Sequence, residues 1–310
     1  MSKKRKESLI VWLILSIFFF GRHFLFSEPL SRIKIMATVF PLMEFAGAVA
    51  GDRGEVSLIL PPGTEIHTWQ PRVSDIAKFS SSDFFIYIGR ELEPWVEDLL
   101  KNVARPGLRI LEASQILPLA QENESSHQGH HERGAIDPHV WLDFSYDLLI
   151  VDRIQEILAE IDPGHAPVYA QNAAGYKEKL VRLDQKYHRT FKDCLHRIII
   201  FGGHAAFGYL AERYGLQQIS LYGLSPDSEP TPRRLVEVTE LTRKYGIQTI
   251  FFESNINPKL TRVLARETGT RTLPLNPGAN LTKAQLKSGV TFLMIMEDNL
   301  KNLRHGLRCR

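Results

Sequence analysis

A segment in the middle of the chain limits the fold more than any other. From Asp162 to Cys194, apolar or aromatic side chains recur at Tyr169, Ala173, Tyr176, Leu180, Leu183, Tyr187 and Phe191, and ten of the other positions are Lys, Arg, Glu or Asp. Steps of three and four keep one face of an α-helix apolar over most of the segment. Asp162-Pro163 supplies an opening, with Asp as N-cap and Pro at the first position. At 1.5 Å per residue, such a helix runs roughly 40 Å. Its composition is stiff, unlike a Gly/Ser linker, so a rigid strut is predicted.

The strut divides two similar halves. In the first, β-rich runs fall at Ile33–Phe40, Val56–Leu60, Phe84–Gly89 and Arg109–Glu112, separated by amphipathic stretches at Leu42–Gly51, Ser74–Phe79 and Pro94–Val103. In the second, runs at Ile198–Phe201, Ile219–Leu224, Thr249–Glu253 and Arg271–Leu275 alternate with helices at Ala205–Tyr214, Pro232–Tyr245 and Pro258–Glu267. Strands alternating with helices indicate βαβ units and parallel sheets. The expected fold class is α/β: two parallel-sheet lobes, residues 28–161 and 195–310, joined by one long rigid helix over 162–194. A length of 310 residues and 44% hydrophobic composition suffice for two cores and exclude a disordered chain.

The first 27 residues have the order of parts of an export signal. Lys3 to Lys6 form a basic start, and Leu9 to Gly21 form a 13-residue uncharged apolar run. That run fits a signal core of about 7–15 residues and falls short of the roughly 20 needed to span a bilayer. An uncleaved anchor is the alternative, since Phe24 to Phe26 extend the apolar character past Arg22 and His23. No cysteine follows the run, so a lipid-anchored start is not expected. The leader's net +4 exceeds the whole chain's +3, which leaves the body at −1. A near-neutral body gives no electrostatic reason to expect nucleic acid. The two cysteines, Cys194 and Cys309, permit a disulfide in an oxidising compartment, but their pairing is not readable from sequence.

Most of the eleven histidines have ordinary settings. His165, His188 and His196 fall on or beside the long helix, and His305 is placed in a C-terminal tail. Three others stand apart. His67 lies in LILPPGTEIHTWQP, beyond a strand that two prolines end. His139 lies in DPHVWLD, before a new helix. His204 lies in IIIFGGHAAFGYL, where a buried strand stops at Gly202-Gly203. Ligands in open α/β sheets collect at the carboxyl ends of parallel strands. His67 and His204 occupy that position in opposite halves, and the His139 loop can reach the same cleft. Imidazole suits zinc, copper, iron and nickel, and three nitrogens plus one oxygen make a plausible Zn²⁺ shell. The polar segment QENESSHQGHHERG, with His127, His130 and His131, also leans toward metal by composition. The same three histidines with an open position would describe a catalytic zinc. No HExxH or GxSxG motif accompanies them, so an enzyme is not expected.

Several ordered motifs carry a family resemblance. They are Pro61-Pro62-Gly63 with His67-Thr68-Trp69-Gln70-Pro71, Leu92-Glu93-Pro94-Trp95, Asp137-Pro138-His139-Val140-Trp141-Leu142-Asp143 and His204-Ala205-Ala206-Phe207-Gly208-Tyr209. Ser225 to Pro230, Phe252-Glu253, Leu275-Asn276-Pro277 and Leu281-Thr282 follow. From about Ile33 to Leu303 the chain resembles the ZnuA/TroA-like solute-binding proteins of ABC importers for zinc and manganese. The resemblance implies one metal buried between two lobes, and a monomer that delivers it to a membrane permease from the periplasm or another extracytoplasmic space. His67, His139 and His204 fall on the family's first three ligand positions. A His rather than Glu at the third favours zinc over manganese, with Mn²⁺ or Fe²⁺ as alternatives. The family's usual fourth ligand is an Asp where this chain has Asn276. Glu253 is the expected substitute, with Asn276 or water as the alternative. The histidine-rich segment resembles the loop of zinc-type members and is expected to form an accessory site. Zinc titration should therefore show a second, weaker ion that disappears when residues 121–134 are shortened, and an unchanged isotherm would reduce the loop to a solvated connection.

Overall fold

The computed structural model describes residues 32–118, 136–225, 230–254 and 259–310. The leader and the segment carrying His127, His130 and His131 lie outside the described residues.

Two four-stranded, all-parallel sheets share one strand pattern. The first contains β1 (Ile33–Ala37), β2 (Gly54–Leu58), β3 (Phe84–Tyr87) and β4 (Arg109–Glu112) in the order β2-β1-β3-β4. The second contains β5 (Ile198–Phe201), β6 (Gln217–Ser220), β7 (Thr249–Glu253) and β8 (Arg271–Leu275) in the order β6-β5-β7-β8. Central strands such as FFIY and IIIF are apolar throughout because both faces of a doubly covered parallel sheet are buried. Edge strand β6, QQIS, begins with two polar residues. The apolar run at Ile219–Leu224 therefore registers its end rather than its start.

Helices α1 (Phe40–Ala50), α2 (Val73–Phe79) and α3 (Val96–Val103) belong to the first lobe. β1 stops three residues before the expected Phe40, because Pro41 fits the first turn of a helix and opens α1 there. Two long helices follow, α4 (Phe144–Ile161) and α5 (Ala166–Phe191), packed along each other. The second lobe adds α6 (Gly208–Arg213), α7 (Pro232–Lys244), α8 (Lys259–Thr268), α9 (Lys283–Lys287) and α10 (Phe292–Gly306). His305 therefore sits in the last turn of a helix rather than in a tail. Phe292, Ile295, Met296, Asn299, Leu300 and Leu303 are buried along one face of α10 at helical spacing.

All seven residues of the predicted seam on α5 are buried. Burial of side chains such as Leu180, Leu183 and Phe191 stabilises by about 1.5–3 kcal/mol each. The polar tips on α5 show that it spans both lobes. Asn172 Nδ2 donates to Val49 O (3.0 Å) and Tyr176 Oη to Glu44 Oε1 (2.7 Å) on α1, while Tyr187 Oη donates to Met296 O (2.6 Å) on α10. The helix is shorter than 162–194. Asp162 does not cap it; its carboxylate instead accepts from Arg53 (2.9 Å), Tyr169 (2.8 Å) and His165 (3.0 Å), and a 3₁₀ turn at Pro163–His165 comes first. Beyond the other end, Cys194 is disulfide-bonded to Cys309, 115 residues away. Closing a loop of that size removes unfolded-state entropy worth on the order of 4–5 kcal/mol in the chain-entropy model. No helix among the described residues is long and apolar enough to cross a membrane.

One core group opposes the fold. Asp147 on α4 is fully buried, and neither carboxylate oxygen has a hydrogen-bond partner. Burial, reinforced by the charge of Asp143 and opposed by Arg213, pushes its carboxyl well above the ordinary Asp range. A raised carboxyl holds its proton to higher pH in the fold than in the unfolded chain, so its contribution weakens as pH rises above the unfolded value near 3.9. Asp147→Asn should therefore unfold later than wild type at pH 7.5. Chemical denaturation repeated near pH 4 should show that gain vanish.

Candidate metal centre

Three chain segments meet at one cavity of roughly 560 Å³. His67 arrives on the loop after β2, His139 on the segment before α4, and His204 on the turn after β5. In an order β6-β5-β7-β8, chain connections leave β5 and β7 in opposite directions, so the carboxyl ends of those two strands form the crevice where ligands settle. His204 follows β5 and Glu253 ends β7. The turn between them requires glycine. A Cβ on Gly202 would lie 2.1 Å from Thr261 Oγ1, and one on Gly203 would lie 2.8 Å from the Phe201 ring and 3.0 Å from Glu253.

The imidazoles form a nearly equilateral group, with ring centroids 5.3 Å (His67–His139), 5.2 Å (His67–His204) and 5.0 Å (His139–His204) apart. One nitrogen from each lies within 4.8 Å of the other two. His139 and His204 are almost wholly buried, at 1% and 3% exposure.

Carboxylates orient two of the rings. Asp137 Oδ1 lies 2.7 Å from His139 Nδ1 and also accepts the His139 backbone N–H at 2.9 Å. Glu253 Oε2 lies 2.7 Å from His204 Nδ1. With Nδ1–H donating to a carboxylate, each ring turns a bare Nε2 lone pair inward. The two Nε2 atoms stand 3.1 Å apart. His67 Nε2 is buried with no hydrogen-bond partner at all. Burial, with repulsion from His139 and His204, carries the His67 pKa down to about 2, so this ring is neutral at any physiological pH. Burial also disfavours charge on His204, but Glu253 outweighs it and raises that pKa. Three converging lone pairs repel unless a proton or a Lewis acid sits among them. For nitrogens at about 2.0–2.1 Å from a tetrahedral zinc, the N···N edge is about 3.3 Å.

Sequence reasoning singled out all three histidines, and the structure brings them together. Its two candidates for a fourth ligand are placed differently. Glu253 borders the cavity, but its carboxylate is engaged behind His204. Asn276 is not on the cavity wall. Its Oδ1 accepts from Gly278 N at 2.9 Å, and its backbone exchanges hydrogen bonds with Asn299, because it closes the turn leaving β8. Three further residues at the site do not stand out in the sequence. Asp137 belongs to the DPHVWLD motif without marking itself as a partner of His139. Glu65 borders the cavity and accepts the His67 backbone N–H (3.2 Å); its position two residues before His67 is the only signal for it. Asn280, which also lines the cavity, has no signal in the sequence at all.

Two parallel α/β lobes on a shared long helix thus close around a buried group of metal-type nitrogens. The model of the family described as zinc-uptake complex component A, periplasmic, matches residues 35–306, and the chain belongs to that family. The zinc-binding protein AdcA of Streptococcus pyogenes is 33% identical over 97% of this chain and 61% of its own length. The chain thus spans about three-fifths of that relative. The Zn(II)-bound ZnuA-like domain of Streptococcus pneumoniae AdcA superposes with a TM-score of 0.76 at 35% identity, covering 89% of this chain and 99% of the domain. The laminin-binding protein Lmb of Streptococcus agalactiae, described as having adhesin and metal transporting activity, gives 0.78 at 29% identity, over 89% and 99%.

Proposed function

We propose that this protein captures Zn²⁺ outside the cytoplasm, through His67, His139 and His204, and delivers it to the membrane permease of an ABC importer. The observation that carries the reading is the convergence of three imidazole nitrogens, with the Nε2 atoms of His139 and His204 3.1 Å apart and the buried His67 Nε2 without a partner. A neutral nitrogen set of this kind favours zinc over the harder Mn²⁺, which prefers oxygen. The zinc-binding and zinc-bound relatives support the same choice. The export-like leader and the Cys194–Cys309 disulfide both suit an oxidising, extracytoplasmic location. Residues 28–161 and 195–310 act as the two halves of the clamp, and 162–194 as the strut.

Binding rather than catalysis follows from how the nearby carboxylates are used. Asp137 and Glu253 are tied to imidazole Nδ1 atoms, and Glu65 to the His67 backbone. A hydrolytic zinc needs a base beside its water, and two of these acids are taken up by imidazoles; Glu65, which gives one oxygen to a backbone N–H, is the acid to substitute in a test for turnover.

The protein should bind one Zn²⁺ tightly at neutral pH. Replacing any one of the three histidines by Ala should weaken binding by more than the about 100-fold typical of lost outer contacts. Affinity should fall as pH is lowered, since only the neutral ring ligates, and the fall should begin with His204, whose pKa, despite burial, Glu253 raises above the ordinary histidine value. Competition titration with a chromophoric chelator measures both effects, and a triple-Ala variant that kept one tight zinc would falsify the assignment.

Glu253 and Asn276 make a separate comparison. Glu253→Gln should lower zinc affinity by about 10- to 100-fold, because it replaces the charged acceptor behind His204 Nδ1 with a neutral amide. Asn276→Ala should leave zinc affinity unchanged while lowering thermal stability, and the reverse pattern would make Asn276 the ligand.

A further inference from the structure

The three imidazoles are not held alike. His139 and His204 are each oriented by a carboxylate on Nδ1, whereas among the described residues no side chain holds the His67 ring. The position of His67 therefore depends on the backbone of its loop. That loop opens at Pro61-Pro62-Gly63, where Gly63 adopts φ +79°, a left-handed conformation that favours glycine.

The second lobe sets the path of this loop. The segment between β8 and α9 crosses to the first lobe and bonds to it repeatedly. Phe40 N–H donates to Ala279 O (2.8 Å), Gly63 N–H to Leu281 O (2.9 Å), and Trp141 Nε1 to Pro277 O (2.7 Å). At its centre, Asn280 is 6% exposed and uses both amide hydrogens. Nδ2 donates to Pro61 O at 2.8 Å and to Thr64 O at 2.9 Å, on either side of the turn that leads to His67. Its Oδ1 accepts from Leu281 N (2.8 Å), which fixes the amide in that orientation. One side chain of the second lobe thus closes both ends of the first-lobe turn.

We propose that Asn280 is the positioning residue for His67, a clamp across the lobes that aims the one ring lacking a carboxylate of its own. The inference rests on the reading of the three-histidine group as a zinc site. Two consequences follow. Zinc affinity depends on a residue that touches no metal, and the lobes cannot separate without releasing the His67 loop. Loss of the clamp therefore loosens one ligand and leaves the other two in place.

The test is a double-mutant cycle on the full protein, with zinc competition titration, cobalt(II) absorption and the thermal midpoint of the metal-free protein as readouts. Asn280→Ala should weaken zinc binding about tenfold or more. Its cobalt(II) spectrum should move toward that of His67→Ala. Added to His67→Ala, it should cost nothing further in affinity, because the ring it positions is already gone; added to His204→Ala, it should still cost. Asn280→Ser, which keeps one donor, should fall between wild type and Asn280→Ala. Equal losses in the His67→Ala and His204→Ala backgrounds, or a loss tracking only the metal-free midpoint, would make Asn280 a general structural residue and overturn the proposal. So would zinc affinity unchanged by Asn280→Ala. A wild-type protein that bound no zinc would instead overturn the metal reading itself.

Discussion

Three imidazole nitrogens that face one another repel unless a proton or a cation lies among them, and the surrounding structure must hold them together against that repulsion. His139 Nε2 and His204 Nε2 stand 3.1 Å apart, and His67 Nε2 is buried beside them without a partner. Asp137 and Glu253 prevent the two buried rings from turning their N–H groups inward. Burial then keeps His67 uncharged. The site is therefore arranged for a cation before one arrives, with its cost spread over the fold.

The supports come from both lobes. Gly202 and Gly203 let the His204 turn approach Glu253 and Thr261 more closely than any side chain would allow. Asp137 serves the His139 backbone and ring at once, and Trp141 anchors the same segment to Pro277. Helix α5 touches α1 through Asn172 and Tyr176 and α10 through Tyr187, so both lobes are referenced to one strut. The disulfide ties the chain just beyond that strut to the chain's end. On the proposed zinc-binding reading, a frame tied in this way leaves metal exchange to the loops, above all to the loop of His67.

The two sheets repeat one topology, and their corresponding crevices have different contents. In the first lobe, Thr38 follows β1 and donates its hydroxyl to the fully buried Glu93, which also accepts the N–H groups of Ile88 and Gly89 beyond β3. In the second lobe, His204 and Glu253 occupy the equivalent strand ends. A hydroxyl satisfies its carboxylate and ends the chain of contacts. An imidazole satisfies its carboxylate through Nδ1 and still offers Nε2 to a third party. That difference makes one crevice a sealed core and the other a site.

Local signals in the chain define the strand and helix alternation, the buried seam of α5 and the three histidines that the fold brings together. Periodicity records which face of an element is buried, and His67 and His204 follow strands whose carboxyl ends open onto a crevice. Helix α10 follows the same spacing at Phe292, Ile295, Met296, Asn299, Leu300 and Leu303, and the tail expected around His305 is its last turn. Only the tertiary structure decided that Asp162 binds Arg53 rather than capping a helix, that Asn276 serves a turn, and that Glu253 stands behind His204. It alone joined Asn280 to Pro61 and Thr64, more than 200 residues away. Hydrogen bonds between groups so distant in the chain leave no periodic trace, because each depends on where two separately folded lobes come to rest.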